Sequence, residues 1–121
     1  MRYVLLSALA FALLFAAFAA LVRDRVTAAD EFDAAAACQG NRVVIENRGA
    51  EMWSNVKIEV NGSYVFIADA IPPKETMRYF ASIFTKPDGT RLDLARVACQ
   101  RIDIHATVNG KRRHANFGTR R

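Results

Sequence analysis

The chain has 121 residues, 52% of them hydrophobic, and a formal net charge of +5. That length leaves room for one small domain with a modest core and excludes a second one. The charge is uneven: residues 23–37 hold two Arg against four acids, whereas residues 101–121 hold six Lys or Arg against Asp103 alone, so an anionic partner would be sought at the C-terminal end.

Tyr3 to Val22 is an apolar run with only Ser7 polar, and its length of about 20 residues is enough to cross a bilayer as a helix. A cleavable signal peptide has an apolar core of about 7 to 15 residues, so residues 1–22 read as an uncleaved signal anchor. Small residues at Ala17-Phe18-Ala19 and Val26-Thr27-Ala28 leave a cleaved signal peptide as the alternative. Arg2 before the run and Arg23 and Arg25 after it give only a weak orientation bias. Ala35-Ala36-Ala37-Cys38 looks like a lipoprotein cleavage site, but the charged residues 23–37 separate it from the apolar core and the usual Leu is missing. Residues 23–37 themselves are Ala-rich, without Gly or Pro, and read as a juxtamembrane helix extension or tether. Gly40 and Asn41 then break any helix.

Residues 38–121 read as strands. Arg42–Asn47 is the first, ended by Asn47-Arg48-Gly49. Trp53 to Ile67 alternates apolar and polar residues around Asn61-Gly62, the strongest short-range hairpin signal. A two-residue loop there would oppose Val60 to Ser63, Ile58 to Val65 and Val56 to Ile67 on the core face, leaving Tyr64 and Phe66 outward beside Glu59 and Lys57. Two outward aromatics would be a candidate protein-interaction surface unless a later strand or the Lys57 stem covers them. Trp53 is out of step with Val56, Ile58 and Val60, which predicts a bulge or a change of role at that point. Ile71-Pro72-Pro73-Lys74 interrupts the ladder, Thr76–Phe80 resumes it, and Lys86-Pro87-Asp88-Gly89 is a turn. Leu92, Leu94 and Val97 suggest a short irregular strand. Arg101–Val108 alternates cleanly into a second turn at Asn109-Gly110, and Lys111–Gly118 returns as the last strand.

Cys38 and Cys99 each precede a predicted strand by a few residues. An even cysteine count in a small exported domain reads as a disulfide and places the domain in an oxidising, extracytoplasmic space. Closing a loop of about 60 residues would contribute roughly 4 kcal/mol by chain entropy.

About six or seven short strands with regular turn signals predict an all-β, immunoglobulin-like antiparallel sandwich behind one N-terminal transmembrane helix. The run Val43-Val44-Ile45-Glu46-Asn47, Trp53, Val56 to Gly62, Pro72-Pro73, Phe84, Asp88-Gly89 and Ile102-Asp103-Ile104 resembles small bacterial immunoglobulin-like domains of the FxLYD-type group, exported behind a single N-terminal helix. The resemblance spans residues 42–108 and implies no catalytic residues.

Constellations for chemistry are few. With a two-residue loop at Asn109-Gly110, His105 stands opposite His114 with Asp103 diagonal to them, a low-ranking metal candidate that Arg101 and Arg112 on the same face would oppose. No Gly-x-Ser-x-Gly elbow, phosphate-cradling loop or His-activated Cys is present, so the expectation is a non-enzyme without cofactor. Lys111, Arg112, Arg113, Arg120 and Arg121 form a candidate anion-binding cluster for lipid head groups or an envelope polymer. Specific nucleic-acid recognition is not expected, since no recognition helix is present. The sequence therefore points to a membrane-tethered extracytoplasmic domain that works in protein interaction or envelope assembly. The alternative is a cleaved, secreted form that binds an anionic polymer or lipid head groups through its basic C-terminal hairpin.

Overall fold

The computed structural model describes residues 32–118. Its seven strands are β1 (Ala34–Gln39), β2 (Arg42–Asn47), β3 (Trp53–Val60), β4 (Tyr64–Ile71), β5 (Thr76–Phe80), β6 (Arg101–Val108) and β7 (Lys111–Gly118). A single 3₁₀ turn, Ala81–Ile83, follows β5. The strands form two antiparallel sheets, one of three strands in the order β1-β2-β5 and one of four in the order β4-β3-β6-β7. Among these residues no helix is long and apolar enough to cross a membrane, and the expected anchor at Tyr3–Val22 lies outside them.

The sheets enclose one core. Val43 and Ile45 come from the three-stranded sheet, and Val56, Ile58, Val60, Ile102 and Ile104 from the four-stranded one, all of them buried. The long β5–β6 connection contributes Phe84 and Leu92. Each such branched side chain, removed fully from water, stabilises the fold by about 1.5–3 kcal/mol. Leu92, Leu94 and Val97 do not form a strand. Their segment is held by the isolated bridge Thr85–Arg91, by Leu92 N–H donating to Phe84 O at 2.9 Å, and by Asp88 and Asp93 carboxylates accepting from the backbone of Thr90 and Ala95.

The Ala-rich run is a strand where it enters the described residues. Ala34–Ala37 belong to β1 and pair with Val44–Asn47, so these four residues, expected in a helix extension or linker, are part of the sheet, and the rest of residues 23–37 before Phe32 lies outside the described residues. Alanine favours a helix only weakly, and a neighbouring strand offering a full ladder outweighs that preference. Gly40, with φ of 62°, opens the two-residue turn between Gln39 and Arg42.

Trp53 keeps its place in the core through the expected bulge. The β3–β6 register shifts between Ser54 and Lys57, where Asn55 takes φ of 48°. The extra residue brings Trp53 back into phase with Val56, and its ring meets Phe32 edge-on at 4.8 Å.

The central hairpin has a longer loop than its Asn-Gly predicts. Val60 pairs with Tyr64, Ile58 with Phe66 and Val56 with Ala68, so three residues, Asn61 to Ser63, make the connection. Asn61 causes this. Its backbone N–H donates to Arg101 O at 2.8 Å, and its side chain donates to Ala98 O at 2.8 Å while accepting from Gln100 N and Arg101 N at 2.7 and 3.2 Å. Tying the turn to the segment before β6 adds one residue to the loop, and a one-residue change sends each side chain to the opposite face. Tyr64 is therefore 7% exposed and Phe66 packs against Tyr79 and Phe84 at 5.0 and 5.4 Å, while Ile67 is 60% exposed. Tyr64 and Phe66 therefore do not form the outward-facing pair expected of them.

Cys38 and Cys99 are bonded. Cys38 lies in β1 and Cys99 just before β6, both partly buried beside the core, so the bond ties the three-stranded sheet to the segment that leads into the four-stranded one. At the opposite end Asn47 serves as a second tie. Fully buried, it donates to Glu51 O and Ile71 O at 2.9 and 3.0 Å and accepts from Gly49 N at 3.0 Å.

Candidate functional site on the outer face of the four-stranded sheet

Strand alternation places Ile58, Ile104 and Ala115 in the core, so their neighbours Lys57 and Glu59, Asp103 and His105, and His114 and Asn116 face away from it. The β6–β7 turn is the two-residue loop expected, with Asn109 and Gly110 at φ of 53° and 76°. His105 therefore stands directly across from His114. Their rings stack with centroids 4.4 Å apart and planes 10° from parallel.

Asp103 is the centre of this face. Only 2% exposed, it accepts from Asn116 Nδ2 at 2.7 Å and His114 Nε2 at 2.9 Å on Oδ1, and from Arg101 Nε at 2.8 Å on Oδ2. Burial works against its charge, but the hydrogen bonds from Asn116, Arg101 and His114 and the guanidinium charge outweigh it and hold the carboxyl below its usual range. The same hydrogen bond and charge raise the pKa of Arg101.

His105 is placed differently. Its Nε2 lies 3.6 Å from Glu59 Oε1, beyond hydrogen-bond reach, and Glu59 Oε2 is also 3.3 Å from Lys57 Nζ. Burial first, then the adjacent His114, push the His105 pKa below the ordinary imidazole value against the pull of Glu59 and Asp103, with Lys57 adding to the downward side. The two rings thus present their Nε2 atoms to different carboxylates.

That geometry does not gather His105, His114 and Asp103 around a shared ion. Parallel rings direct their in-plane lone pairs side by side rather than toward one point, and among the described residues no three His, Cys, Asp or Glu are placed to hold a metal. Nor, among the described residues, does a hydroxyl or thiol hydrogen-bond either imidazole.

The candidate anion cluster divides. Arg112 shares the outward row with His114, and its Nη1 donates to Asn55 O at 2.6 Å and Thr107 Oγ1 at 3.1 Å. Arg113 pairs with Ala106 on the opposite row, and Lys111 sits exposed at the turn. Arg120 and Arg121 lie outside the described residues. Lys111 and Gly118 mark opposite ends of β7, about 20 Å apart at the rise of a strand.

The His105, His114 and Asp103 grouping is visible in the sequence because a two-residue hairpin fixes it locally. Glu59, Lys57 and Asn116 are not singled out by the sequence. Asn116 follows from the same hairpin register, but Glu59 and Lys57 join only because β3 lies beside β6, a pairing across more than 40 residues that local alternation does not encode. Comparison of the chain with protein-family models, with characterised proteins and with solved structures gives no match.

Proposed function

We propose that this chain is a non-catalytic, immunoglobulin-like domain that works by binding or assembly outside the cytoplasm, held at the membrane by its N-terminal apolar run. The observation that carries the reading is the Cys38–Cys99 bond, since such a staple persists where thiols are not kept reduced. The strand order adds support. Taking β1 to β7 as A, B, C, C′, E, F and G gives sheets A-B-E and C′-C-F-G, an immunoglobulin-like arrangement with a buried Trp on the third strand. The staple departs from antibody domains by starting on the first strand rather than the second.

The binding reading rests on the outer face of β3, β6 and β7, where charged and imidazole groups are gathered. The test is a C-terminal fusion to a phosphatase that is active only in an oxidising extracytoplasmic space, combined with washing of the membranes at alkaline pH. The expected outcome is phosphatase activity that stays in the membrane pellet with residues 1–22 intact. An inactive fusion in intact cells contradicts the location, and a soluble product lacking residues 1–22 contradicts the anchor.

A further inference from the structure

Both Asn-Gly turns have valine before the asparagine, as Val60-Asn61-Gly62 and Val108-Asn109-Gly110, whereas Asn41, Asn47, Asn55 and Asn116 are followed by Arg, Arg, Val and Phe. Asparagine before glycine carries a chemistry of its own. The following backbone nitrogen attacks the side-chain carboxamide carbon and closes a five-membered ring, and glycine, lacking a Cβ, hinders that approach least. In an unfolded chain the two sites should therefore react at nearly the same rate. The fold makes them different.

Both asparagines take left-handed angles, with φ of 57° at Asn61 and 53° at Asn109. That conformation turns the following amide away from the residue's own Cβ, so attack waits on a local opening of the turn. At Asn61 the opening works against the backbone bond to Arg101 O at 2.8 Å, the side-chain bond to Ala98 O at 2.8 Å, and the two bonds that Oδ1 accepts from Gln100 N and Arg101 N at 2.7 and 3.2 Å. Its carboxamide, the group that must react, is held through both nitrogen and oxygen. Asn109 lacks such a tie. Among the described residues its side chain makes no hydrogen bond, Asn109 and Gly110 are both exposed, and a Cβ placed on Gly110 would meet nothing within 4 Å. Its hairpin ends on β7, the edge strand of the sheet, so opening the tip parts the Val108–Lys111 pair and no second neighbour of β7.

We propose that Asn109 is a site of spontaneous deamidation in the folded protein, and that the tie to residues 98–101 protects Asn61. Gly110 N, after giving its proton to solvent base, bonds to Asn109 Cγ. The Cγ–Nδ2 bond breaks and that nitrogen leaves as ammonia, taking up a proton. Water then opens the succinimide, at Cγ to give aspartate or at the main-chain carbonyl to give isoaspartate. Asparagine and water become a carboxylic acid and ammonia, with no other reactant. The product places a negative charge beside the exposed Lys111 and Arg112 and lowers the formal net charge of +5 by one. Isoaspartate also adds a methylene to the backbone of the two-residue turn whose register sets His105 opposite His114.

The experiment incubates the purified, oxidised full chain in non-ionic detergent at mildly alkaline pH and follows each site by peptide mass and chromatography. Trypsin separates the sites, since residues 58–74 hold Asn61 and residues 102–111 hold Asn109, with no second asparagine in either peptide. The expected result is conversion of Asn109 to aspartate and isoaspartate, with a rate at Asn61 lower by about tenfold or more, because even one net hydrogen bond that resists opening supplies close to that factor. After reduction and unfolding in urea the two rates should come together. Equal rates in the folded chain, or faster conversion at Asn61, overturn the proposal. A gap that persists in urea also overturns it, by putting the cause in the local sequence rather than in the tie. An Asn109 that stays intact in the folded chain over a time in which it converts in urea overturns its assignment as the reactive site.

Discussion

The two Asn-Gly hairpins carry the same dipeptide between alternating strands, yet they close differently. Asn109-Gly110 is a two-residue loop whose residues take the positive φ values such a turn requires. Asn61-Gly62 takes similar angles but sits in a three-residue connection, because Asn61 is bonded by backbone and side chain to residues 98 to 101. The first case is governed by the turn alone, the second by tertiary contacts made around it. The difference decides which side chains the solvent sees. It buries Tyr64 and half-buries Phe66 in one hairpin, and leaves His105 and His114 facing out in the other.

Substitutions can break this contrast. The largest effect is expected at Tyr64→Ala. In the observed register it opens a cavity in the core and costs about 3 kcal/mol, measured as a lower urea midpoint at unchanged slope. A two-residue loop would place Tyr64 outside and make the change almost silent. Next comes Asn61→Ala, which removes the side-chain bonds from Asn61 to Gln100 N, Arg101 N and Ala98 O and strains a residue at φ of 57°. About 2 kcal/mol is expected in the same denaturation assay. Asn109→Ala carries only the backbone strain at φ of 53° and should cost about 1 kcal/mol. Equal losses at the two asparagines would remove the distinction between a tied turn and a free one.

The smallest effect is the response to acid. The His105 pKa is lowered in the folded state, so the unfolded chain binds protons first. Stability is full above the unfolded imidazole value of about 6.5 and declines as the pH falls from there toward the lower folded value. Asp103 is lowered too, so its contribution is present above about pH 3.9 and is lost as the pH falls through its folded value. Thermal melts across pH should show the first decline disappear in His105→Gln while the second stays. A variant that keeps the first decline would mean that His105 is not its source.

Most of the strands could be read from the sequence because their information is local. Arg42–Asn47, Thr76–Phe80, Arg101–Val108 and Lys111–Gly118 carry β-rich alternation bounded by turn residues, and the structure places strands at those bounds. Ala34–Gln39 escaped because four alanines carry no strand signal of their own and become a strand only beside β2. The orientation of Tyr64 and Phe66 escaped because the bonds that set it come from residues nearly 40 positions away. The outward site divides on the same line. Its histidines and Asp103 follow from one hairpin, whereas Glu59 and Lys57 depend on the sheet order.

The proposed compartment and the proposed role both rest on the bond that closes residues 38 to 99. Its removal is expected to cost roughly 4 kcal/mol, from the entropy released to a loop of that size. The direct measurement is the mass of the protein taken from cells into an alkylating agent, with no reductant at any step. The expected result is a chain without adducts that gains two on prior reduction, one at each cysteine. Two adducts on the unreduced protein would contradict the account.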